Sequence, residues 1–242
     1  LVALGFTPTA AAQNVAVYGP GGVISAPYFP PGSTYTEISE ADWRSMSTGE
    51  FGAYDVIWIE ANDCEQSIDI QQAARETQTT WGPAVNGRIA FISGDLDYHV
   101  KRNDGRSREF VGRMVNYLTI GGGTALMLNT GCTARAGSAI ARNVSDWQPA
   151  LGAALNDGAD RSDYNPSVIN AAHPLVSDGT STGIDSSPAF TTGDFAWGNP
   201  CHGSIGSYPD DYETVFGRGT DHCMIARASK MLDRDEDGFS VE

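Results

Sequence analysis

The densest run of metal-ligating side chains lies near the end of the sequence, in Asp233-Arg234-Asp235-Glu236-Asp237-Gly238. Alternating carboxylates at Asp233, Asp235 and Asp237 can converge on one hard cation, and a glycine at the sixth position supplies the sharp turn that such a loop needs. Phe239 would add a backbone carbonyl. Glu242 stands at the tenth position, two short of the place where a bidentate glutamate closes an EF-hand loop. Calcium is the expected ion. A solvated acidic segment is the plain alternative.

A second group of candidates follows three apolar runs: residues 60–64 (EANDC), 94–99 (GDLDYH) and 129–133 (NTGCT). In open α/β sheets, ligands bind beyond the carboxyl ends of the strands. Asp95, Asp97 and His99, with His202 from the segment 197–203 (WGNPCHG), are ligand types for a divalent ion and form the candidate ligand-binding set. Asp95 capping a turn, with His99 satisfied locally, would look the same in sequence. Cys132, preceded by Gly131 after an apolar run, could instead act as a nucleophile with His202 as its base.

These residues need a scaffold, and the apolar patterning outlines one. Residues 14–18 (NVAVY) read as a strand that ends in Gly19-Pro20-Gly21-Gly22. That turn lacks the spacing and the lysine of a phosphate loop. Ser39, with Asp42 three residues on, opens a short helix. Residues 54–60 (YDVIWIE), 87–93 (GRIAFIS) and 124–129 (TALMLN) are nearly continuous apolar runs, as expected of strands covered on both faces. Residues 68–81 and 108–118 have helical spacing, and 146–155 could form a further helix. This alternation predicts a parallel sheet with helices on both faces. Beyond residue 156 the rhythm fails, and only 223–228 (CMIARA) suggests a last strand. The five tryptophans share no common face and are expected in the core, and His173-Pro174 reads as a turn.

The succession of strands, the cysteine after a strand and the later histidine resemble the class I glutamine amidotransferase-like domain. The resemblance spans residues 14–228 in outline and implies a flavodoxin-like sheet. The elbow of that family is G-x-C-x-G, whereas Cys132 is flanked by Thr130 and Ala134 at the two glycine positions. His202 is followed by Gly203-Ser204 and not by a His-x-Glu partner. The resemblance thus carries the fold and not the glutaminase chemistry. The C-terminal acidic run is similar to the calcium repeats of dockerins and thrombospondin type 3 modules, over its ten residues only.

Composition sets the surroundings. The chain has 242 residues, enough to bury a sizeable core, and 40% of them are hydrophobic. Thirty acidic residues against 15 basic ones give a net charge of −15, which disfavours nucleic acid and anionic membranes as partners. Ala10-Ala11-Ala12 after an apolar run has the pattern of a signal-peptidase site. Residues 1–12 are therefore expected to be the remnant of a signal peptide, 13–229 the α/β domain, and 230–242 the start of a calcium-binding linker. Export, to the periplasm or beyond, makes disulfides among Cys64, Cys132, Cys201 and Cys223 the expectation. Four cysteines allow three pairings. Cys201–Cys223 with Cys64–Cys132 is favoured because residues 54–60 and 124–129 are expected to be neighbouring strands. Asn143-Val144-Ser145 is a glycosylation sequon.

The expected role is a non-catalytic extracellular binding or structural module of a larger secreted bacterial protein. Other extracellular proteins and glycans are the partners left open. The alternatives are an extracellular hydrolase, using a divalent metal or Cys132 with His202, and a calcium-dependent assembly module.

Overall fold

A computed structural model describes residues 12–19, 31–60, 67–93, 96, 105–129, 148–151, 156–158, 167–170, 173–175, 204–208, 210–218 and 221–228. Ten strands form one mixed sheet: β1 (Asn14–Tyr18), β2 (Thr34–Ile38), β3 (Val56–Ile59), β4 (Val85–Ile92), β5 (Thr124–Asn129), β6 (Asn156–Gly158), β7 (Ser167–Val168), β8 (Ser204–Ser207), β9 (Tyr212–Arg218) and β10 (Asp221–Arg227). The helices are α1 (Glu40–Ser45), α2 (Thr48–Phe51), α3 (Ser67–Glu76), α4 (Gln78–Trp81), α5 (Gly105–Thr119) and α6 (Gln148–Leu151), with a 3-10 turn at Gly82–Ala84.

The first five strands run parallel in the order β2-β1-β3-β5-β4. β3, β4 and β5 carry few or no polar side chains, and nearly every residue of theirs is buried, because helices cover both faces. On one face, α5 packs Phe110, Val111, Met114, Val115 and Leu118 against Val56, Trp58, Ala90, Ile92 and Met127. On the other, α1 to α4 and α6 deliver Trp43, Phe51, Ile70, Trp81 and Leu151 onto Ile57, Ile59, Ile89, Phe91 and Leu126. Each such side chain contributes about 1.5–3 kcal/mol on burial. The parallel α/β sheet is thus as expected, and β3 and β5 are neighbours.

The chain reverses its direction across the sheet between β1, whose next strand lies on one side, and β3, on the other. This switch opens a crevice beyond the carboxyl ends of β1 and β3.

The other five strands extend the sheet in antiparallel fashion. β10 pairs with β9 along one edge. Its other edge meets β4 through Met224–Arg227 partners and β8 at His222. β8 therefore stands in the column of β4, past its carboxyl end, and β6, which pairs with β8, stands in the column of β5. The expected last strand at 223–228 is β10, and among the described residues it is joined by β6 to β9.

Two local differences have simple causes. The helix expected over 68–81 breaks at Thr77, whose hydroxyl donates to the Ala73 and Ala74 carbonyls and accepts from Trp43 Nε1 at 2.7 Å. The helix expected over 146–155 is described only as Gln148–Leu151. Strand β2, TYTEI, is an edge strand with exposed Thr34, Thr36 and Glu37, so it lacks the apolar run of its neighbours. The N-cap at Ser39, accepting from the Asp42 backbone, is as read from sequence. Trp43, Trp58 and Trp81 are fully buried, and His173 lies in a turn with its ring buried.

Candidate functional site

The carboxyl ends of the parallel strands gather the polar groups. β3 ends in Glu60, which follows four buried apolar residues and is itself fully buried. Its backbone N–H donates to the Tyr18 carbonyl at 2.9 Å and ties it to the end of β1. Gly19 makes room for it: a Cβ at position 19 would stand 2.6 Å from Glu60 Cβ and 2.8 Å from Glu60 Oε2. Any side chain at 19 would displace the carboxyl.

Gln71 reaches the same edge from α3. Its Nε2 donates to the Asn129 carbonyl at 2.5 Å, with the Glu60 carbonyl at 3.5 Å. The amide thus spans the ends of β5 and β3 where the ladder stops. Gln71 is fully buried, and its Oε1 accepts no hydrogen bond among the described residues. Such an acceptor costs about 1–3 kcal/mol unless something donates to it.

On the antiparallel side, β10 has a bulge between His222 and Met224. Cys223, at the bulge, accepts from Ser93 N at 2.9 Å and Ser93 Oγ at 3.3 Å, which locks the end of β4 to β10. Cys223 is disulfide-bonded, and its partner lies outside the described residues. His222 Nδ1 lies 2.9 Å from Thr214 Oγ1, Thr214 Oγ1 also bonds Tyr208 OH, and the Tyr208 ring meets the imidazole edge to face. The imidazole is half-buried. From Glu60 to His222 the edge crosses three strand spacings, roughly 14 Å. The two cannot act on one bond.

Most of the residues singled out from sequence fall elsewhere. Asp95, Asp97, His99, Cys132 and His202 lie outside the described residues, as do Asp233, Asp235, Asp237 and Glu242 and the cysteines Cys64 and Cys201. The described ends of β3, β4 and β5 are the edge that the strand-end segments were expected to line. β8 begins two residues after His202, beside Ser93 in the column of β4. Among the described residues, no three His, Cys, Asp or Glu side chains group as a metal site.

Gln71 and His222 were missed, and Glu60 entered only as the first residue of the candidate segment 60–64. Glu60 had a signal, a lone acid closing an apolar strand. His222 had none, because its position depends on an antiparallel pairing made far along the chain. A separate polar cleft of about 390 Å³, lined by Gln72, Arg75, Glu76 and Gln78, lies on the outside of α3 and α4. There Arg44 bridges Glu40 at 2.7 Å and Glu76 at 2.9 Å. The Gln72 amide, and next to it the Arg44 guanidinium, hold the Glu76 carboxyl below its ordinary range. No protein-family model, no curated protein and no solved structure matches this chain.

Proposed function

We propose that the chain is an extracellular, non-catalytic binding module whose ligand sits at the carboxyl edge of the sheet and presents hydrogen-bond donors. The observation that carries this reading is the buried Gln71 amide at the junction of β3 and β5, with an acceptor oxygen that nothing described satisfies. Glu60, whose backbone carbonyl lies 3.5 Å from Gln71 Nε2, ends β3 at the same edge. The loops carrying Asp95, Asp97, His99 and His202 would complete the rim. Export is supported by the Ala10-Ala11-Ala12 pattern and the four cysteines.

The test is a thermal-shift screen with two probe panels, neutral oligosaccharides and small amines, run on the wild type and on Gln71→Leu. A saturable rise with one panel, lost in Gln71→Leu, is the expected result. No response to either panel, or an equal response in both proteins, overturns it.

One observation favours a second reading, a hydrolase: Thr214 Oγ1 within hydrogen-bond reach of His222 Nδ1 is a hydroxyl–base arrangement. Turnover of a nitrophenyl ester that disappears in His222→Ala would put this reading, or the Cys132–His202 and divalent-metal versions of it, ahead of binding. The acidic run with Asp233, Asp235, Asp237 and Glu242 would add a calcium-dependent assembly role. A melting temperature unmoved by calcium would remove it.

A further inference from the structure

At the amino end of the parallel strands, away from the edge just described, stands an arginine with an unusual set of neighbours. Arg88 of β4 is half-buried, and its guanidinium carbon lies 4.5 Å from the centre of the Tyr117 ring of α5. Its Nε is buried and makes no hydrogen bond among the described residues. The ion pairs made among these residues join Arg44 to Glu40 and Glu76 and Arg227 to Asp211, and none includes Arg88. In a chain with twice as many acids as bases, a half-buried guanidinium that makes no ion pair with a described carboxylate is an exception.

Arg88 also hydrogen-bonds the Tyr117 side chain, and the next polar group along that ring is a donor. The Tyr117 ring also packs against His173, with ring centres 4.9 Å apart. The Leu175 backbone N–H donates to His173 Nδ1 at 3.2 Å, so in the neutral ring the proton sits on Nε2, which is left as a donor. Burial, and next to it the charge of Arg88, push this imidazole down to about 4, so it is neutral at physiological pH. Tyr117 OH is engaged with the Arg227 carbonyl at 3.3 Å. The described acid that acts on Tyr117 is Glu213, and its carboxylate accepts from Asn170 Nδ2 at 2.8 Å.

We propose that Arg88, with the His173 Nε2–H beside the shared Tyr117 ring, is a binding site for a carboxylate-bearing ligand. The planar fork of a guanidinium matches a carboxylate through two parallel hydrogen bonds, and the ring beneath it holds the fork in place. The site is independent of the ligand proposed at the carboxyl edge.

The test is thermal unfolding in sodium acetate against sodium chloride at equal ionic strength, with sodium phosphate as a third arm. It is paired with NMR of the His173 Cε1–H resonance. Acetate should raise the melting temperature by about 2–4 °C at concentrations a few-fold above its dissociation constant. The same titration should move the His173 resonance. Arg88→Gln should abolish both responses. Arg88→Lys, which keeps the charge and loses the fork, should raise the half-saturating acetate concentration about tenfold, and it serves if Arg88→Gln does not fold. A melting temperature that follows ionic strength alone, a His173 resonance that stays fixed, a response unchanged in the Arg88 variants, or a response to phosphate without one to acetate each overturns the proposal.

Discussion

The two halves of the sheet are held by different means. In the parallel half, β1, β3, β5 and β4 are buried on both faces, and large apolar side chains carry the packing. Trp43 alone stacks on Tyr18 at 4.4 Å and meets Phe51 at 4.7 Å and Trp81 at 6.0 Å. In the antiparallel half, apolar contacts such as Phe216 on Phe110 are supplemented by buried polar anchors. The Leu151 carbonyl of α6 accepts both Tyr212 OH and Arg227 Nη1 at 2.8 Å. Arg227 is 4% exposed, lies 5.1 Å from the Tyr212 ring and is only 3.7 Å from Asp211. The carbonyl, the ring and the Asp211 carboxylate together compensate the buried guanidinium. A half built on continuous apolar runs can be read locally. A half pinned by single polar contacts between distant segments cannot.

The comparison can be broken in three places. The largest effect is expected from Trp43→Ala, which removes the hub of the aromatic cluster and leaves Thr77 Oγ1 without its indole donor. The expected loss is about 3–5 kcal/mol in urea unfolding. A loss below about 1 kcal/mol would mean that the apolar face is not what holds the parallel half.

His173 tests the boundary between the halves, where it packs on α5. Its folded pKa lies below that of the unfolded chain, so the native state resists protonation. The stability this confers is complete above about pH 6.5 and is lost as the pH falls towards about 4. Replacing it by Gln should flatten the acid side of the stability profile, by up to about 3 kcal/mol across that window. An unchanged slope between pH 7 and 4.5 would show that the imidazole is solvated.

The smallest effect is expected from Tyr212→Phe. It removes one of two donors to Leu151 O and should cost about 1 kcal/mol. Hydrogen exchange should quicken in β9 and β10 before β3 or β5, and uniform quickening would show that the halves open together.

The same contrast explains which parts of the site were legible. Gly19 and the acid at the end of β3 stand in plain view, because a strand that stops at a glycine or an acid announces its end. Gln71 does not, since a glutamine on a helix is ordinarily solvated. Only the position of α3 over the gap between β3 and β5 makes it a buried bridge. His222 is hidden for a stronger reason. Its place at the edge follows from β10 running antiparallel to β4, and its partner Thr214 lies across a hairpin. The expected Asp95, Asp97, His99 and His202 set and the Cys132–His202 pair fall in segments outside the described residues.

By itself the sequence determined the parallel core: apolar runs of strand length, helical spacing between them and caps such as Ser39 are local physics, repeated often enough to leave one α/β arrangement. Beyond the expected neighbourhood of β3 and β5, the tertiary structure alone decided the order β2-β1-β3-β5-β4, the placing of β8 and β6 beyond the ends of β4 and β5, and the lack of an ion pair between Arg88 and any described carboxylate. Those depend on which segments meet across long stretches of chain, and such pairings leave no periodic trace in the residues that make them.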